Sequence, residues 1–242
     1  MVMLKHTHVS DPVLYGIVEE ELHRQEHNIE MIASESTVPL EVMELSGVAH
    51  LATIKSRIPF VNFFDGFRTS HEIQKIERLD NEDLAPLLDR EALAEFRARA
   101  LSPEHPVMRG MAENPDTFFT HREACNRYYD VVPAIVEEYM KEITKITGRQ
   151  YGLFDYYGDP NAERVIIAMG SVTEAIRETI DYLEKKGEKV GLLAVHLYRP
   201  FSAKHFLAAM PKSAKRIAVL DRTKEPGALG EPLYMDVKDC YF

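Results

Sequence analysis

Cysteine is nearly missing from this chain: Cys125 and Cys240 are the two among 242 residues, far apart and without a CxxC pair. An iron–sulfur cluster, which takes four thiolates, is therefore not held by this chain alone. The scarcity fits a reducing compartment, with both thiols free and structural. No apolar run approaches the roughly 20 residues of a membrane span, and the opening MVMLKHTHVSDP lacks the apolar core of a signal peptide. The expected location is the cytoplasm, with no membrane partner. Positive charge is also in deficit, 29 Lys and Arg against 39 Asp and Glu, for a net charge of −10. The basic residues are scattered, so the stripe that a nucleic acid needs is not expected. No GxGxxG, Walker A sequence or HExxH is present. His6, His8, His23 and His27 are scattered near the amino terminus, and no metal site is expected.

What remains is ample for folding, since 45% of the residues are hydrophobic, enough for one or two cores. The most complete stretch covers 164–237. Residues 165–169, VIIAM, form an apolar run stopped by Gly170, which predicts a strand buried on both faces. A helix should follow: Ser171 and Glu174 make a capping box, and Ala175, Ile176, Ile180 and Leu183 recur at helical spacing until Gly187. A second strand is expected over 190–197. Ser202 then caps a helix with Phe206, Leu207 and Met210 on its apolar face, and Pro211 stops it before a third strand at 216–220. The β-α-β-α-β order predicts an α/β fold with an open, mainly parallel, Rossmann-like sheet and helices on both faces. Ligands of such sheets lie beyond the carboxyl ends of the strands, here Gly170-Ser171, Tyr198-Arg199-Pro200 and Asp221-Arg222-Thr223. The loop KEPGALGEP does not have phosphate-loop order and reads as a structured turn.

The segments MGSVTEAIRETIDYLEKKGEKVG, LYRPFSAKHF and IAVLDRTKEPGALGEPLY resemble the transketolase-C-terminal-like domain of pyruvate:ferredoxin (flavodoxin) oxidoreductase. The likeness extends upstream through VAHLATIKSRIPFVNFFDGFRTSHEIQKIE and MRGMAENPDTFFTHREACNRYYDVVPAIVEEYM, so it covers roughly residues 48–242. It implies the family reaction, oxidative decarboxylation of pyruvate to acetyl-CoA with electrons passed to ferredoxin or flavodoxin. In the full-length family thiamine diphosphate, Mg, iron–sulfur clusters and coenzyme A carry that chemistry, and none of them is expected in this chain. Residues 10–47 instead resemble the amino-terminal segment of serine hydroxymethyltransferase, a pyridoxal-phosphate enzyme. That likeness would put Ser34 near a substrate carboxylate. The lysine and large domain that hold the cofactor are missing, so the segment reads as a docking arm.

Four parts are expected. Residues 1–47 form a helical arm, with Asp11 as N-cap and Leu14, Ile17, Val18 and Leu22 on one face. Residues 48–80 are a remnant of the thiamine pyrimidine-binding domain, a partial second α/β unit. A continuous helix is expected across 47–48, with Val42, Leu45, Ala49, Leu51 and Ile54 on its apolar side, followed by a strand at 59–64. Residues 81–110 read as a linker with a helix at 89–100, and 111–242 as the transketolase-C-terminal-like domain. There Pro133 begins a new helix or kinks a long one, LFDYYGDPNAE is a loop, and Tyr156 and Tyr157 pack onto the first strand. Asp65, Arg68 and His71 in FFDGFRTSHE are the cofactor-binding candidates, weighed against a capped turn with solvent-facing charges. No catalytic residue is assigned. The expected function is an oxidoreductase fragment without independent turnover, partnered by the remaining domains or subunits of the enzyme. The alternative is a non-catalytic interaction module that completes a split thiamine-diphosphate-dependent 2-oxoacid oxidoreductase.

Overall fold

Three short aliphatic runs, RVIIA, VGLLAV and RIAV, become the parallel strands of one sheet: β2 (Arg164–Ala168), β3 (Val190–Val195) and β4 (Arg216–Val219). The computed structural model describes residues 40–66, 69, 79–108, 110 and 112–241. The chain divides into two units. The first, Met1–Pro39 with Asp65–Lys75, contains only Asp65, Gly66 and Thr69 among the described residues. Residues 1–39 of the expected arm, Ser34 among them, lie outside them, while 40–47 begin the helix described below. The second, Leu40–Phe64 with Ile76–Phe242, holds the sheet.

Strand order is β1-β3-β2-β4, with β2 parallel to both β3 and β4. The fourth strand, β1 (Phe154–Gly158), pairs antiparallel with β3 and corrects the expected loop at LFDYYGDPNAE. FDYYG has no alternation of its own, and its pairing comes from β3. Tyr156 packs on the core that includes Val165 and Ile167 of β2, lies over Gly191 of β3, and donates its hydroxyl to the Asp159 carbonyl at 2.6 Å. Tyr157 donates to Asp181 at 2.5 Å.

The pleat of the sheet divides the core. Ile166, Ala168, Leu192 and Ala194 meet Ile176 and Ile180 of α7 (Val172–Glu184) on one face. Val165, Ile167, Leu193 and Val195 meet, on the other, a larger core. That core includes α6 (Val132–Thr147), α8 (Ala203–Ala209) and α9 (Pro232–Asp239). The expected α/β class, parallel core and two helical layers are therefore observed.

Helix α1 (Leu40–Ser56) runs unbroken across 47–48 and packs along α6. Its buried positions are Glu44, Gly47, Val48, Leu51, Ala52 and Ser56, a face turned from the expected one. Val48 and Ala52, one turn apart and small, let the two helices approach. Arg57, at φ 63, ends the helix. The expected strand at 59–64 is not formed. Val61 is 82% exposed and Phe63 60% exposed, because strand propensity needs a neighbouring strand and none pairs with this segment among the described residues.

The expected linker is folded: α2 (Asn81–Leu84), a 3-10 turn and α3 (Arg90–Ala98) follow one another, and Leu84, Leu87 and Leu88 pack on the larger core. Asp89 caps α3 through the Ala92 amide at 2.9 Å. Helices α4 (Pro115–Ala124) and α5 (Asn126–Asp130) bury no residue, and Pro133 lies in the first turn of α6, beginning a new helix. Among the described residues no helix is long and apolar enough to cross a membrane.

Candidate functional site

The polar residues at the carboxyl ends of the parallel strands are where this topology places a ligand, at the switch point between β2 and β4. The helices that follow these two strands leave toward opposite faces. Beyond β2, Gly170 turns the chain at φ 81. Ser171 occupies the N-cap of α7 without a side-chain cap hydrogen bond, so the expected capping box is not made. The Gly170 carbonyl instead accepts from the Thr173 hydroxyl at 2.8 Å and its amide at 3.1 Å.

Beyond β4, Asp221 turns its carboxylate to α9. Oδ2 accepts from the Leu233 amide at 2.7 Å and the Tyr234 amide at 3.2 Å, while Oδ1 accepts from the Arg222 amide at 2.9 Å. It therefore caps a helix that starts eleven residues later. Leu233 and Val237 of α9 are buried in the larger core. Beyond β3, Arg199 pairs with Asp236 of α9 at 2.5 Å, and its guanidinium lies 4.0 Å from the Tyr198 ring centre. Burial pushes the Tyr198 phenol above its usual value. The KEPGALGEP loop is the structured turn expected: Glu231 accepts from Lys224 Nζ at 3.0 Å and from the Glu225 amide at 2.9 Å. The Lys224 hydrogen bond holds the Glu231 carboxyl below the usual range. The polar groups at this end of the sheet thus serve the chain's own helix and loop.

One cluster escaped the sequence reading. Glu44, fully buried on α1, accepts from Arg149 Nε at 3.1 Å at each oxygen, from Arg149 Nη2, and from the Tyr151 hydroxyl at 2.6 Å. The Tyr151 ring stands edge-on to His196 at 6.1 Å, and His196 Nδ1 lies 3.0 Å from the Gly152 carbonyl and 3.3 Å from Asp155. The available signal was an acidic residue one turn before Val48 and two before Leu51 and Ala52. Of the candidate cofactor-binding residues, Asp65 is half-buried. Arg68 and His71 lie outside the described residues, as do His23 and His27. Cys125 follows α4 and Cys240 ends α9, each a free thiol.

Strand order and the helices on both faces together define a doubly wound, Rossmann-like α/β unit. Residues 19–141 match the family described as pyruvate flavodoxin/ferredoxin oxidoreductase, thiamine diphosphate-binding, and residues 162–242 match pyruvate:ferredoxin oxidoreductase core domain II. The chain belongs to the pyruvate flavodoxin/ferredoxin oxidoreductase family. It is 65% identical over 209 residues to the pyruvate-flavodoxin oxidoreductase of Enterobacter agglomerans, covering 86% of this chain and 18% of that protein. Identity to the pyruvate:ferredoxin oxidoreductase of Moorella thermoacetica is 63% over 198 residues, 82% of this chain and 17% of the relative. Pyruvate dehydrogenase [NADP(+)] of Cryptosporidium parvum is 52% identical over 198 residues, 81% of this chain and 10% of the relative. The chain thus spans under a fifth of the length of these three relatives. The first match begins at residue 19, inside the segment that resembles serine hydroxymethyltransferase, and ends within α6.

Thiamine diphosphate is tied to the family by the first match. The described residues do not fit its Mg-diphosphate end. Among them no three His, Cys, Asp or Glu side chains converge as a metal would need. Two carboxylates near the switch point, Asp221 and Asp236, are committed to the α9 amides and to Arg199.

Proposed function

We infer that this chain is a structural piece of a pyruvate:ferredoxin (flavodoxin) oxidoreductase, and that it has no turnover of its own. The observation that carries the reading is the carboxyl end of the sheet, where Asp221 accepts from the α9 amides and Arg199 pairs with Asp236 of α9. The identity of 65% combined with coverage of 18% of the relative supports it. In this reading residues 48–80 contribute to the pyrimidine-binding part, 81–110 cross between parts, and 111–242 form the transketolase-C-terminal-like part. Residues 1–47 are an arm. The complete enzyme, in the cytoplasm, would decarboxylate pyruvate with thiamine diphosphate and Mg. It would pass electrons through iron–sulfur clusters to ferredoxin or flavodoxin and deliver the acetyl group to coenzyme A. This chain's share is to hold and orient its neighbours.

The purified chain, supplied with pyruvate, thiamine diphosphate, Mg, coenzyme A and a viologen dye, is expected to leave the dye oxidised. Pyruvate-dependent dye reduction above the no-protein control would overturn the reading. A second reading, an interaction module that completes a split enzyme, draws on the exposed Val61, Phe63, Phe118 and Phe119. Stoichiometric co-purification with a larger thiamine-dependent subunit would favour it.

A further inference from the structure

The pairing of β2 with β4 sets like charges side by side at the amino ends of the strands. Arg164 and Arg216, the first residues of the two strands, are direct partners in the parallel register. Neighbouring strands lie about 4.8 Å apart, so two exposed guanidinium side chains leave the sheet next to each other. They share the parity of Ile166 and Ala218, which starts both on the face that carries α7. Like charges in directly opposed positions repel. This end of the sheet is remote from Gly170, Arg199 and Asp221, which follow the carboxyl ends of the same strands.

The surrounding charges do not cancel the pair. Arg164 bonds Glu188, and Lys215 Nζ donates to Glu163 at 2.6 Å. Exposed pairs of this kind are weak and exchange partners readily. Among the described residues the Arg216 and Lys189 side chains have no hydrogen bond or ion pair of their own. Both still act on Glu163: the Lys215 hydrogen bond holds its carboxyl below the usual range, and the Lys189 and Arg216 charges push it the same way. Four cations therefore meet two carboxylates, a local surplus of two positive charges in a chain of net charge −10. Glu163, Arg164, Lys215 and Arg216 line a pocket of about 210 Å³.

We propose that this pocket binds a doubly charged tetrahedral oxyanion, the phosphate group of inorganic phosphate or of a small phosphomonoester, between the Arg164 and Arg216 guanidiniums. The planar fork of a guanidinium meets phosphate oxygens two at a time, which a lysine ammonium does not do. A phosphate group carries about −1.5 to −2 at pH 7, which matches the surplus of the pocket. Glu163 and Glu188 neutralise the other two cations and limit the site to one such group, in keeping with the absence of a basic stripe for a polyanionic chain. The site goes beyond the oxidoreductase reading and does not rest on it.

Titration of the chain with inorganic phosphate, at an ionic strength held constant with sodium chloride, tests the proposal through the arginine Nε–H resonances. Those of Arg164 and Arg216 should shift saturably, half-complete at about 1 mM or below. Arg216→Gln should weaken binding by about 10-fold or more, the loss expected for one charge-assisted hydrogen bond. Lowering the pH to about 5.5 returns a proton to phosphate and should weaken it several-fold, while sulfate, still a dianion, keeps its affinity. Glycerol phosphate separates the two sources: tighter binding than phosphate assigns the site to a phosphomonoester, and equal or weaker binding to the free anion. Shifts no larger than those given by chloride alone, or equal binding by Arg216→Gln, would overturn the proposal. So would a lowered urea midpoint of Arg216→Gln without phosphate, since a guanidinium that serves the ligand leaves the fold unchanged or relieved of repulsion when it is removed.

Discussion

Replacing Arg149 by alanine tests how α1 is fastened beside α6. Glu44 has 0% of its side chain exposed, whereas Arg149 keeps 35%. Without the guanidinium, the buried carboxylate retains the Tyr151 hydroxyl at 2.6 Å as its remaining side-chain donor. Breaking a fully buried pair from one side costs about 3–5 kcal/mol. Water reaching the half-exposed Arg149 position lowers the expectation to about 2–3 kcal/mol. With an m-value of about 2 kcal/mol/M, the urea midpoint should fall by about 1 to 1.5 M at unchanged slope. Removing both partners, Glu44→Leu with Arg149→Met, should cost less than Arg149→Ala, because no charge is stranded. The Glu44 hydrogen bond raises the guanidinium above its usual value. Its contribution is therefore complete below the unfolded-state value and lost only at strongly alkaline pH, so the deficit of Arg149→Ala should be constant between about pH 7 and 10. Urea unfolding followed by circular dichroism, arranged as a double-mutant cycle, measures all of this. A coupling below about 0.5 kcal/mol would show that the pair does not hold the helix.

Asp221→Ala, which strips the cap from α9, should cost about 1–2 kcal/mol in thermal or urea unfolding, and Asp221→Asn less, since one oxygen still accepts. Gly47→Ala should stabilise the chain by about 0.5–1 kcal/mol. The new methyl would sit in ordinary contact with Leu84 at 3.4 Å in the same assay. Burial pushes the Cys240 thiol above its usual value. Its stability contribution is thus present below the ordinary thiol pKa and lost as pH rises through the raised folded value. Iodoacetamide at about pH 8 should modify Cys240 roughly 10-fold more slowly than a thiol in a short peptide, read by mass spectrometry.

The sequence makes β2, β3 and α7 legible because each carries its own signal: aliphatic runs ending at Gly170, then Ile176 and Ile180 one turn apart. Features that depend on a distant partner are not legible in that way. FDYYG becomes a strand only beside β3, while VNFF, with better strand residues, has no strand partner among the described residues. Ser171 stands where a cap should be, yet the Gly170 turn is closed by Thr173. At the switch point the strand ends could be named from sequence, but not that Asp221 would be used by amides at 233 and 234. Glu44 could have been suspected from its place one turn before Val48; its partner 105 residues away could not.

Helix α1 has a consequence for any joint near residue 47. Each residue of an α-helix advances the chain by about 100° and 1.5 Å. Glu44 lies before that point, Val48 and Ala52 after it, and all three share one buried face. Adding or deleting one residue there would swing Glu44 more than a quarter-turn from Arg149 while Val48 stayed seated on α6. Adding seven residues, nearly two whole turns, would restore the angle but move Glu44 about 10 Å along the axis, out of reach of Arg149. The two halves of the helix are keyed by rotation and rise, so recombination at this point is filtered by geometry before it is filtered by sequence.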